Sequence, residues 1–135
     1  MEIKRIELET YPKLCKDIPL LQEEISEMES GNSGVVGDVI SDYRTGQPRA
    51  QVIRDFDWEL YHRRKAQLRE MEKRKARIDA WLEEIEDATT RKVFKMRYRD
   101  EKEWADIAKA LGYRGKPDYP RIRIRDEYLK QKKIK

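Results

Sequence analysis

The sequence WADIAKALGY, residues 104–113, decides how the C-terminal third of the chain is expected to fold. Four of its residues share one face of a helix predicted over residues 101–111, namely Trp104, Ile107, Ala108 and Leu111. Gly112 follows, and glycine readily takes the left-handed conformation of a tight turn. Ala108 is small enough to let the next helix approach closely. This spacing is typical of the first helix and turn of a helix-turn-helix.

One helix is predicted before this stretch and another after it. The preceding helix is expected to be capped by Thr89 or Thr90, to bear Val93, Phe94, Arg97 and Tyr98, and to end near Asp100. In the following helix Asp118 is the expected N-cap and Pro120 lies in the first turn, where proline is tolerated. Ile124 and Tyr128 are expected to face inward. The alternation of arginine and isoleucine over residues 121–125 also suits a strand, and the residues leave that alternative open.

Three arginines of the last predicted helix, Arg121, Arg123 and Arg125, are expected to point outward. A guanidinium group can address guanine O6 and N7 together, or a phosphate with two hydrogen bonds. Residues 88–135 hold 16 Lys+Arg and 7 Asp+Glu, a net charge of +9, whereas residues 1–87 hold 15 and 20, a net charge of −5. A strongly basic segment of this size is expected to meet the phosphates of a nucleic acid, although a solubilising tail has the same composition.

The first 87 residues are predicted to form a helical hairpin. Apolar residues recur with steps of 3 and 4 at Tyr11, Leu14, Ile18, Leu21, Ile25 and Met28, and a second stripe holds Tyr61, Leu68, Met71, Ile78, Leu82 and Ile85. Asp57 is the expected N-cap of the second helix, which is predicted to end at about Glu86. Residues 29–56 carry several glycines and are predicted to be a long loop, with a possible short hairpin around Val35–Ile53. The second helix is predicted to be longer than the first, and its extra length is expected to pack either on a second subunit, as a homodimer, or on the C-terminal module.

The composition argues against several other classes of protein. Charged residues make up 43% of the chain and the mean hydropathy is −1.02, with no apolar run long enough for a membrane span or a signal peptide, so we expect a cytoplasmic protein. A single cysteine, Cys15, and a single histidine, His62, do not give the spacing of a metal site. No phosphate-binding glycine loop and no nucleophile with a placed base is present, so we expect no cofactor and no enzymatic activity.

In its C-terminal third the chain resembles phage-encoded regulators built like the fourth region of bacterial sigma factors, including the RinA-type and ArpU-type late-gene activators. The matching strings are RKVFKMRY at residues 91–98, WADIAKALGY at residues 104–113, Arg123-Ile124 and Tyr128-Leu129-Lys130. The resemblance implies binding of double-stranded DNA through Arg121, Arg123 and Arg125, with Lys116, Lys130, Lys132 and Lys133 nearer the phosphates, and contact with RNA polymerase. We place Tyr119 with these DNA-binding candidates. The turn over residues 113–120 is longer than is usual in that family.

The sequence therefore predicts an all-α protein with a coiled-coil-like hairpin at residues 1–87 and a basic helix-turn-helix module at residues 88–135, acting as a phage or prophage transcriptional regulator. Two other functions remain open at this point. A small-terminase-like DNA-packaging protein also joins a helix-turn-helix to an oligomerising hairpin. A non-catalytic adaptor could use the same basic tail to bind an acidic protein.

Overall fold

The computed structural model describes residues 2–31 and 56–135, and every regular element in these ranges is a helix. The elements are α1 (Arg5–Ser30), α2 (Trp58–Glu83), α3 (Ala88–Phe94), α4 (Trp104–Ala110) and α5 (Glu127–Gln131). A π-helical turn, Lys95–Arg99, continues α3, and another, Pro120–Asp126, leads into α5. The all-α prediction is thus confirmed for these residues. The predicted hairpin around Val35–Ile53 lies outside the described residues.

The described residues belong to two compact units, one of which covers residues 16–72. Its core comes from α1, where Ile18, Leu21 and Ile25 are buried as their spacing predicted. Side chains of α2 bond back to α1 in three places: Tyr61 Oη to Glu29 Oε2 at 2.6 Å, Arg64 Nε to Glu24 Oε2 at 3.5 Å, and Gln22 Nε2 to Glu72 Oε2 at 3.4 Å. In these three bonds, later residues of α1 pair with earlier residues of α2, so the bonded parts of the two helices run in opposite directions.

The start of α2 has the cap that the sequence predicts. Asp57 Oδ1 accepts a hydrogen bond from the backbone N–H of Leu60 at 2.9 Å, which satisfies one of the unpaired donors at the helix end. Phe56, Trp58 and Tyr61 form edge-to-face contacts around this cap, with ring centroids 4.7 to 5.9 Å apart. Trp58 keeps 46% of its surface exposed, so this aromatic group lies at the surface of its unit.

The other unit covers residues 1–15 and 73–135, and its main core draws on both ends of the sequence. The buried members are Ile3, Leu8, Tyr11, Ile78, Trp81, Leu82, Ile85, Phe94, Tyr98 and Leu129. Residues of the basic C-terminal third therefore share one apolar core with the first turns of α1 and the last turns of α2. A smaller cluster of Val93, Met96 and Ile107 lies between α3 and α4, with Trp104, Leu111 and Ile124 packed against it.

Helix α3 is capped differently from the prediction, because neither Thr89 nor Thr90 is its N-cap. Asp87 takes that role: its Oδ2 accepts from the Thr90 backbone N–H at 2.9 Å and from the Thr90 hydroxyl at 2.8 Å. These two bonds hold the pKa of the Asp87 carboxyl below its usual range. Helix α2 ends at Glu83, before the predicted Glu86, which leaves the residues up to Asp87 to turn the chain into α3.

Candidate nucleic-acid interface

The turn after α4 depends on two glycines with positive φ. Gly112 has φ +87° and Gly115 has φ +80°, and a Cβ added at either position would meet no atom within 4 Å. The glycines are therefore needed for backbone conformation and not for close packing. The N–H of Tyr113 donates to the carbonyl of Ala108 at 2.7 Å, which closes the end of the helix. The predicted left-handed glycine at residue 112 is confirmed.

The segment that carries the three arginines is helical, so the strand alternative is wrong. It is not an ordinary α-helix, since Pro120–Asp126 forms a π-helical turn in which the backbone hydrogen bonds span five residues. Pro120 and Arg125, five residues apart, are both buried, whereas Ile122 keeps 43% of its surface exposed. This register decides which arginines face outward.

Arg125 was expected to point outward, and that expectation is wrong. The residue is 8% exposed, its Nε bonds Asp126 Oδ1 at 2.8 Å, and its Nη1 donates to the hydroxyl of Tyr98 at 3.4 Å. Its guanidinium carbon also lies 4.9 Å from the ring centroid of Trp104. Contacts with Asp126, Tyr98 and Trp104 compensate the burial of this guanidinium group, and the spacing of the apolar residues did not indicate them.

Trp104 receives a second guanidinium group from Arg97. The Arg97 guanidinium carbon also lies 4.9 Å from the Trp104 ring centroid, and its Nη1 donates to the carbonyl of Lys102 at 3.0 Å. The positive guanidinium group is attracted to the negative face of the aromatic ring, and this attraction is stronger when the contact is shielded from water. We call Arg97, Tyr98, Trp104 and Arg125 the arginine cluster. Its members connect the π-helical turn Lys95–Arg99, the start of α4 and the π-helical turn Pro120–Asp126.

Arg121 and Arg123 remain accessible, as predicted. The Arg123 side chain is 65% exposed and bonds Glu127 Oε1 at 3.2 Å, while the Arg121 side chain is 37% exposed and bonds Asp118 Oδ1 at 3.1 Å. Ion pairs between exposed groups are weak, so either carboxylate can be exchanged for another acceptor. Both guanidinium groups can therefore reach a ligand outside the protein.

The remaining predicted residues are also at the surface. Lys116, Lys130, Lys132 and Lys133 are exposed, and Lys132 Nζ lies 5.7 Å from the ring centroid of Tyr128. Tyr119 is 38% exposed and stacks on Tyr113, with ring centroids 4.4 Å apart and planes at 28°. Tyr119 is thus a surface residue held in a fixed orientation.

Two cations that the sequence prediction did not select also lie at this surface. Lys109, near the end of α4, and Arg114, between the two glycines, are both exposed. The sequence contained a signal for Arg114, because the turn over residues 113–120 is long and holds two basic residues. Only the conformation of the turn shows that Lys109 and Arg114 line the same groove.

Comparisons with known proteins add no family to this description: no family model matches the chain, nor does any curated protein or solved structure. Among the described residues, no group of three or more His, Cys, Asp or Glu side chains is arranged to hold a metal ion. None of the helices in residues 2–31 and 56–135 is both long and apolar enough to cross a membrane.

Proposed function

We propose that this protein is a sequence-specific DNA-binding transcriptional regulator of the phage or prophage type. In this proposal residues 88–135 act as a helix-turn-helix that docks the segment after Pro120 in the major groove of double-stranded DNA. The order of α4, the Gly112 turn and a helical segment with exposed arginines supports it. Contact with RNA polymerase is proposed on the sequence resemblance alone.

The observation that carries the proposal is the exposure of Arg123 beside Ile122, on the segment that follows the turn. Arginine is the side chain that most often reads guanine in the major groove, and an apolar side chain can contact the thymine methyl group. Ile122 lies between the two arginines, and its exposure to water is unfavourable for the protein without DNA. Contact with DNA would cover it.

The charge distribution supplies the sequence-independent part of binding. Within the described residues, Lys116, Lys130, Lys132 and Lys133 make no ion pair with an acidic side chain, and residues 88–135 have a net charge of +9. Each phosphate neutralised by such a cation releases condensed counterions, which favours binding at low salt. We assign these four lysines to the DNA backbone.

We further propose that residues 1–87 form a helical hairpin that acts as a scaffold and can pair as a homodimer. The side-chain bonds between α1 and α2 support the hairpin, since Glu29, Glu24 and Gln22 of α1 bond to Tyr61, Arg64 and Glu72 of α2. Native mass spectrometry tests the assembly: we expect a monomer or dimer. A closed ring of many subunits would instead favour a DNA-packaging protein.

The test of DNA binding begins with selection of duplexes from a random-sequence pool by the full-length protein. Affinity for the selected duplex and for an unselected one is then measured by fluorescence anisotropy across salt concentrations. With about six phosphate contacts, log K is expected to fall against log salt with a slope of about −5. We expect the selected duplex to bind at least about 1,000-fold more tightly than the unselected one.

Arg123→Ala separates reading of bases from attraction to phosphates. We expect this variant to lose about 5- to 100-fold of the discrimination between the two duplexes. Arg69→Ala is the matched control, since Arg69 is an exposed arginine of α2 in the acidic part of the chain, and it should leave both affinities unchanged. If no sequence is enriched and Arg123→Ala binds like the natural protein, the specific regulator is ruled out.

A further inference from the structure

A groove of about 330 Å³ lies at the surface where α4 turns toward the π-helical segment. The alanines Ala105 and Ala108 of α4 line it, and Pro117 faces them from the turn. Lys109 and Arg114 contribute the charged side chains. The groove therefore combines small apolar groups with two cations, and Gly115, one of the two glycines with positive φ, also lines it.

The cations of this groove are available for a ligand. Lys109, Arg114 and the neighbouring Lys116 are exposed, and none of them forms an ion pair within the part of the chain that the structure describes. Asp118, the acidic residue of the turn itself, is bonded to Arg121. Three positive charges therefore lie within eight residues, without a bonded acidic partner among the described side chains.

We propose that this groove seats the sugar–phosphate backbone of one strand of duplex DNA; the inference rests on the proposed function and deepens it. The phosphate oxygens accept hydrogen bonds from Lys109 and Arg114, and the deoxyribose lies against the exposed Ala105 and Pro117. The long turn over residues 113–120 thereby adds a contact with the DNA backbone next to the segment that reads the bases.

The chemistry of the groove favours a backbone over an unpaired base. A base would be expected to stack on an aromatic face; Tyr113 is the aromatic residue that lines the groove, and one face of its ring is already stacked on Tyr119, with ring centroids 4.4 Å apart. The exposed apolar side chains of Ala105 and Pro117 offer no aromatic plane. Two cations beside an apolar surface match a phosphate attached to a sugar.

The test uses the full-length double variant Lys109→Gln with Arg114→Gln on the selected and unselected duplexes. Loss of two phosphate contacts should make the salt slope shallower by about 2 and weaken binding by roughly tenfold at moderate salt. Both duplexes should lose the same factor, because phosphates carry no sequence information. The matched control is Arg69→Gln with Lys73→Gln, which removes two exposed charges from α2 and should change neither affinity nor slope.

A conservative variant separates charge from folding. Arg114→Lys keeps the positive charge, so it should retain the slope of the natural protein, whereas Arg114→Gln alone should make the slope shallower by about 1. The inference fails by itself if the natural protein binds duplex DNA and the double variant has the same slope. It also fails if the loss is greater for the selected duplex, or greater for single-stranded than for duplex DNA. If the natural protein binds no duplex DNA, the proposed function is wrong as well as this inference.

Discussion

The arginine cluster and the exposed basic segment over residues 109–116 both contain arginine side chains, but these are buried or half-buried and bonded in the first and exposed in the second. Arg125 is 8% exposed and bonds Asp126 and Tyr98, and its guanidinium lies over Trp104. Arg114, only eleven residues earlier in the sequence, is exposed and has no acidic partner among the described residues. Residue type therefore does not tell which basic residues of this module can meet DNA; burial and the available partners do.

This difference implies a division of labour within the basic third of the chain. A buried guanidinium must be compensated by hydrogen bonds and an aromatic face, because leaving it without them would cost several kcal/mol. Once compensated, it holds neighbouring segments together. An exposed guanidinium contributes little to stability, and its charge remains free for a ligand. Substitutions in the two regions should accordingly separate stability from DNA binding.

The largest effect is expected for Trp104→Ala, which removes the ring shared by Arg97 and Arg125. Because Trp104 also packs on the cluster of Val93, Met96 and Ile107, we expect the free energy of unfolding to fall by about 3 kcal/mol. Urea denaturation followed by circular dichroism measures it. Trp58→Ala is the matched control, since Trp58 is 46% exposed, and it should cost about 1 kcal/mol or less. Equal losses in the two variants would contradict a structural role for the cluster.

Arg125→Ala should have the next largest effect on stability and none on DNA discrimination, whereas Arg123→Ala should reduce discrimination and leave stability nearly unchanged. Loss of the Arg125 contacts is expected to lower the free energy of unfolding by about 2 kcal/mol while leaving DNA discrimination intact in the folded protein. Arg123→Ala should change stability by less than about 0.5 kcal/mol, because its ion pair is exposed. Urea denaturation and anisotropy on the same samples give both quantities. A stable Arg125→Ala protein that has lost discrimination would place Arg125 on the DNA.

The comparison also shows how far the sequence could predict this fold. Apolar spacing correctly predicted that Tyr11, Ile18, Leu21 and Ile25 of α1 are buried, whereas Leu14 and Met28 are half-buried and the fully buried Leu8 lies before the predicted stripe. Asp57 and Gly112 have the cap and turn conformations that their chemistry indicates. These are local properties, set by helical periodicity and by the needs of a few backbone groups. Arg121 and Arg123 were likewise predicted to be accessible from their neighbours alone.

The errors arose where tertiary contacts override local patterns. Asp87 competes with the two threonines as a cap, and only the end of α2 decides which residue lies at the cap position. The burial of Arg125 is accompanied by contacts with Tyr98 and Trp104, which lie 27 and 21 positions earlier in the chain and which no local pattern indicates. Trp104 was correctly placed on the packed face of its helix, but nothing in the spacing indicated two arginines beside its ring.

A smaller effect on stability is expected for Gly112→Ala, which tests the turn within the exposed basic segment. At φ +87° an alanine is strained although its Cβ would meet no neighbour, so we expect a loss of about 1 kcal/mol in the free energy of unfolding. Asparagine tolerates this conformation better, and Gly112→Asn should recover part of the loss. A Gly112→Ala protein more stable than the natural one would indicate that residue 112 has a negative φ in solution.

The smallest effect is expected for Glu127→Gln, which releases Arg123 from its internal partner. The exposed pair contributes little, so stability should change by less than about 0.5 kcal/mol. Removing the carboxylate also removes a negative charge beside the proposed DNA contact, and affinity for the selected duplex should rise about two- to threefold at low salt, an advantage that disappears at high salt. Glu23→Gln, an exposed change on α1, is the control and should leave affinity unchanged. If Glu127→Gln weakened binding instead, the carboxylate would be needed to orient the arginine, and the two partners would act on DNA as one unit.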